Sequence, residues 1–168
     1  MIQPVRTEGA KGALLDEYER AVNDLKRVIS TIQPEELIWV VDVTTEDPDC
    51  KSIQTVLTHV VRSAFGYATA IRRHHGEAID FRLSNPCSTS TEYALELDAA
   101  LAFTEQTFVK YPDIQLETFE PEQKILVRWG QLYDVEQLME HAIVHVLRHR
   151  RQIERFLLTL RGEGGSVS

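Results

Sequence analysis

Four stretches of this chain repeat their apolar residues at intervals of three and four, over lengths that only α-helices use. The first runs from about Gly12 to Ile32, carries Leu14, Tyr18, Ala21, Leu25, Val28, Ile29 and Ile32 on one stripe, and stops before Pro34. The second spans about Ser52 to His75, with Ile53, Val56, Leu57, Val60, Ala64, Tyr67, Ala68 and Ile71, and Gly76 suits the position just past its end. Thr89 and Glu92 have capping-box spacing at the start of the third, about 91–110. Asp134 and Gln137 suit the first turn of the last, about 134–160. An apolar stripe must be covered, and four long ones in a chain of 168 residues can cover one another. The expectation is an all-α fold, a four-helix bundle with long connections, in one domain over residues 1–168. A short extended segment is expected at Lys124–Trp129, and a frayed tail at 162–168.

Composition narrows the function classes. Hydrophobic residues make up 43% and charged residues 26%, which belongs to a globular chain rather than a disordered one. Eighteen Lys and Arg against 26 Asp and Glu leave a formal charge of −8, which disfavours nucleic acid as a partner. Arg148, Arg150, Arg151 and Arg155 form a local basic patch, read as solvated charge near a helix C-terminus. No apolar run approaches the roughly 20 residues of a membrane helix, so no membrane partner is expected. Residues Met1–Gly9 hold no apolar leader, and Cys50 and Cys87 stand alone without framework spacing. A cytoplasmic protein with reduced thiols is the expectation.

The chemistry lies in the histidines. Three of six fall four apart on the last helix, at His141, His145 and His149. At about 100° per residue they span about 80° of the wheel, on the arc that also holds Leu138, Ala142, Ile153 and Phe156. They therefore face the side that the bundle buries. Buried imidazoles need partners, and a divalent cation is one that several can share. Two ligands on one helix leave a site unfinished, and His59, at the edge of the second helix's stripe, is the residue placed to add a third. His74 and His75 fall at that helix's C-terminus and read as surface residues. Periodicity alone fits a plain bundle with hydrogen-bonded core histidines equally well.

Other sites are excluded by pattern. The residues three before His59, His141, His145 and His149 are Val56, Leu138, Ala142 and Val146, so the ExxH of ferritin-like di-iron bundles is absent. His141–His145 lacks the glutamate of HExxH, and no Walker loop, GxGxxG or GxSxG occurs.

The segment His145-Val-Leu-Arg-His149-Arg150-Arg151-Gln152-Ile153 resembles the closing-helix motif H-x-x-x-H-R-G-Q-[ILV] of the DinB/YfiT-like metalloproteins, and Leu57-Thr58-His59-Val60 resembles their second-helix histidine. The likeness covers about Gly12 to Leu160. It implies a DinB-like four-helix bundle with long connections and a divalent metal, nickel or zinc first and iron or manganese next. The implied ligands are His59, His145 and His149, with open positions left for water. Arg151 stands where the family has glycine. His141 lies one turn before the ligand pair and is the candidate for lining the pocket. Arg150 and Gln152 match the motif and are expected to orient neighbouring groups.

A three-histidine centre with open positions suits catalysis better than structure, since structural sites close with four protein ligands. The resemblance supports a metal-dependent hydrolase or a transferase of a low-molecular-weight thiol, acting on a small-molecule substrate. The alternative is a non-catalytic metal-binding stress-response or interaction protein, with a homodimer expected through an exposed helix face. The pocket walls are expected from the first helix and from the segments around Trp39 and Trp129.

Overall fold

A computed structural model of the chain describes residues 6 and 9–162. Among them are α1 (Gly9–Ile29), α2 (Pro34–Ile38), α3 (Ile53–His74), α4 (Ser90–Lys110) and α5 (Val135–Leu160), with a hairpin of β1 (Ile125–Leu126) and β2 (Leu132–Tyr133). The chain is an all-α bundle. Of the tail expected to fray, residues 163–168 lie outside the described residues, as does most of the stretch read for a leader.

The four long helices form a ring in which α1 packs on α5 and α4, and α3 packs on α4 and α5. The first and last helices are thus neighbours, while α1 and α3, adjacent along the chain, sit on a diagonal. Leu25, Ile29, Leu57, Ile71, Leu97, Leu138, Met139 and Ile153 meet at the centre, all fully buried. Burying each such side chain contributes about 1.5–3 kcal/mol, and this drives the long amphipathic segments together.

The helix starts follow their local chemistry. Ser52 caps α3, accepting from the Thr55 amide at 3.1 Å. Thr89 accepts from Glu92 at 3.2 Å, while the Glu92 carboxylate accepts from the Thr89 amide in return. Asp134 accepts from the Gln137 amide at 2.8 Å, and the Gln137 side chain accepts from the Asp134 amide at 3.1 Å. Past the end of α3, Gly76 takes φ +84°, where a side chain would be strained.

Two expectations need correction. The first helix ends at Ile29, not Ile32, and begins three residues earlier, at Gly9. Pro34 does not merely stop a helix; it opens α2, because proline's fixed φ suits the first turn and Gln33 and Glu36 cap it reciprocally. The extended segment expected at Lys124–Trp129 is only the two-residue β1, paired antiparallel with β2. Its hairpin closes where Val127 donates to Gln131 at 2.9 Å and Gly130 donates to Val127 at 2.9 Å. Gly130 adopts φ +85°, which the turn requires, and Trp129 stands just before it.

No helix among the described residues is long and apolar enough to cross a membrane.

Candidate metal centre

The site forms where α3 and α5 face each other. His59 sits on α3, whose buried face includes Val56 and Val60; His145 and His149 sit one turn apart on α5, beside buried Val146 and Ile153. One ligand nitrogen from each of the three lies within 4.8 Å of the others. The ring centroids of His59 and His145 are 4.8 Å apart, those of His145 and His149 4.5 Å, and those of His59 and His149 5.0 Å. His149 is buried; His59 and His145 are partly buried.

Hydrogen bonds set the direction of each ring. His59 Nδ1 lies 3.1 Å from Oδ2 of Asp49 and 3.2 Å from Nη2 of Arg62; the carboxylate, which can only accept, favours the tautomer with Nδ1–H and a lone pair on Nε2. Arg62 donates to the same carboxylate oxygen and holds it in place. Nδ1–H of His149 donates to Oε1 of Gln152 at 2.9 Å, which likewise frees Nε2. The Nε2 atoms of His59 and His145 approach to 2.9 Å. Since the His59 nitrogen there is a bare acceptor, the His145 nitrogen donates, and Nδ1 of His145 remains buried without a partner. Burial leaves the cluster poor in protons. His145 is pushed down to about 2 by burial and by the neighbouring His149 and His59. His149 is also lowered, chiefly by burial and against the pull of Gln152. Neutral imidazole is the form that binds metals.

The spacing of the three imidazoles is compatible with a cation. Metal–nitrogen bonds of about 2.0–2.1 Å in a tetrahedral site place donor atoms about 3.3 Å apart. The spacings here run from 2.9 Å to at most 4.8 Å and bracket that value. Three imidazoles with nitrogens within 4.8 Å of one another, two of those nitrogens only 2.9 Å apart, are a donor set that one shared cation would satisfy.

Around the cluster the structure brings together residues that sequence reasoning had not joined. Cys50 lies with its sulfur 3.4 Å from Oδ2 of Asp47 and its thiol also reaches Gln152, so the turn over Asp47–Cys50 closes one side. Burial pushes that thiol up, away from the thiolate. No pattern in the sequence marks Asp47 or Asp49, because no periodicity links a loop carboxylate to a helix ten residues away. On the other side, the Trp129 ring stacks on His141 at 5.0 Å, and His141 lies 6.2 Å from His145. Tyr133 and the buried Tyr67 flank His141 at 5.7 and 5.6 Å. His141 thus stands beside the cluster, and burial lowers its pKa.

The remaining expectations sort by position. Gln152 orients a ring, and Arg150 reaches Asp24 of α1 at 3.2 Å instead. Trp129 forms part of the wall. The first helix meets α5 on a different side, through that Asp24 contact, and Trp39 is largely exposed to solvent. Arg151, at the motif's glycine position, points outward. His74 and His75 are exposed, with His75 stacked on Tyr111 at 4.8 Å. Both cysteines are free.

Comparison with protein-family models and with curated proteins returns no match for this chain. The likeness to DinB/YfiT-like proteins rests on the sequence motifs.

Proposed function

We propose that the chain is a DinB/YfiT-like metalloprotein that holds a divalent metal on His59, His145 and His149 and uses it on a small-molecule substrate. The reaction is hydrolysis or the transfer of a low-molecular-weight thiol onto an electrophile. The observation that carries this reading is the convergence of three neutral imidazoles from two helices on one point. An all-nitrogen donor set suits nickel or zinc better than manganese, which is better served by carboxylates. When bound, such a cation supplies Lewis acidity that brings an adjacent water or thiol toward its anion near neutral pH.

The chain's own residues orient and enclose. Asp49, braced by Arg62, fixes the tautomer of His59, and Gln152 fixes that of His149. The stacked Trp129 and His141 rings, with Tyr67 and Tyr133, offer a wall for the organic part of a substrate. His141 is unprotonated at neutral pH and is the residue placed to accept a proton beside the cluster. The isolated thiols of Cys50 and Cys87 agree with a reducing cytoplasm.

One observation favours the second reading, a non-catalytic metal-binding stress-response or interaction protein. His141 makes ring contacts but no hydrogen bond among the described residues, so nothing orients it as a base. The readings separate in one assay. Untagged, metal-loaded protein is given glutathione, bacillithiol or mycothiol with electrophiles, and simple esters and amides. Turnover that a chelator abolishes supports the enzyme; tight metal binding without turnover of any of these supports the binding protein.

A further inference from the structure

The outward face of α5 is divided by charge along its length. With His141 at zero, Glu136, Glu140, Val144, Leu147, Arg148, Arg151, Arg155 and Leu158 all fall roughly between 220° and 340°, away from the imidazoles. The N-terminal end of this face is acidic, the middle is apolar and the C-terminal end is basic. Val144 is 61% exposed, Glu140, Arg148, Arg151 and Arg155 are exposed, and Glu136 and Leu147 are half-buried, Leu147 resting partly on the core.

Neither end is neutralised within the subunit. Glu136 lies against Glu117 and Glu140, and burial together with these like charges raises its pKa. At the other end, Glu154 is taken by Arg150, and no described carboxylate pairs with Arg148, Arg151 or Arg155. A groove of about 450 Å³ runs between Arg148, Arg151, Glu154, Arg155 and Leu158, where three guanidinium groups outnumber the one carboxylate.

The order of these residues is symmetric about one point. The midpoint between Val144 and Leu147 is about 8 Å along the axis from both Glu140 and Arg151, and about 14 Å from both Glu136 and Arg155. A second α5 laid antiparallel about that midpoint sets acid opposite base at both ends, and Val144 against Leu147 at the centre. A twofold contact makes each pairing twice.

We infer that this face is a self-association surface, on which two copies of the chain meet through antiparallel α5 helices with Glu140 of each facing Arg151 of the other. A nucleic acid or an acidic peptide would meet the basic half but be repelled by Glu136 and Glu140; a second copy satisfies both halves. The surface lies on the opposite side of α5 from the imidazoles, and its test needs no metal.

The test is sedimentation equilibrium on the full chain with a chelator present. Wild type dimerises at low salt and dissociates at about 0.5 M salt, where charges are screened within a few ångströms. Glu136→Arg with Glu140→Arg, and separately Arg151→Glu with Arg155→Glu, each abolish the dimer. Mixed together, these two variants form a one-to-one heterodimer, because an all-basic face then meets an all-acidic one. Circular dichroism checks that both are folded. A monomeric wild type at low salt would overturn the inference, as would a dimer that survives both double substitutions or variants that do not pair when mixed.

Discussion

Asp49 lies ten residues before His59 in the chain and 3.1 Å from its Nδ1 in space, and through that bond it decides which nitrogen His59 presents to His145 and His149. Carboxylates in this position raise the basicity of a metal-binding imidazole and restrict its rotation. Asp49→Ala is therefore expected to weaken metal affinity about 10- to 100-fold while leaving helicity unchanged. Chelator competition followed by circular dichroism measures both. An unchanged affinity would mean that the contact does not orient the ring.

Metal binding to the folded chain raises its stability by mass action. At a free metal concentration near 100 times Kd the gain is about 2.7 kcal/mol, or a rise in Tm of about 5–10 °C for a domain of this size. His145→Ala should remove that rise. Thermal melts with zinc, with nickel and with a chelator provide the comparison.

Without metal, the cluster makes stability depend on pH. The folded chain protonates His145 only near pH 2, whereas an ordinary imidazole takes its proton below 6.5. Between those values the unfolded state binds more protons, so the stability is fully present above about pH 6.5 and declines as pH falls. The slope from this one group reaches about 1.4 kcal/mol per pH unit. Urea midpoints of wild type and His145→Gln, measured with chelator from about pH 7.5 down to about pH 5, should show a shallower slope for the variant. Parallel slopes would place His145 in solvent-like surroundings.

The bundle core makes its own demand. Leu57 and Ile153 are fully buried where α3 and α5 enter the core, and truncating either to alanine should cost about 2–5 kcal/mol. Leu95, 65% exposed on α4, should lose less than about 0.5 kcal/mol on the same change. Chemical denaturation of the three variants separates core from surface.

Much of this was legible in the residues because helical periodicity reports directly which side is buried. The stripes of α3 and α5, the caps at Thr89 and Asp134, and the inward placement of His145 and His149 all follow from spacing. Spacing says nothing of how a loop returns. Asp49 reaches His59 only because the chain from α2 folds back along α3, bridged at Val40 and Ser52. Trp129 reaches His141 because a tight hairpin ending in Gly130 aims it there. Pro34 was ambiguous for a local reason: the same fixed φ that ends one helix starts the next. Side-chain partners set by long-range packing leave no local pattern to read.

The central claim is that His59, His145 and His149 act together on one cation. Metal content of untagged protein, purified and then dialysed against nickel or zinc, tests it most directly. Wild type should retain stoichiometric metal. His59→Ala, His145→Ala and His149→Ala should each lose it while remaining helical, and His141→Ala should keep it. A wild type that retains no metal, or three variants that bind as wild type does, would contradict the account.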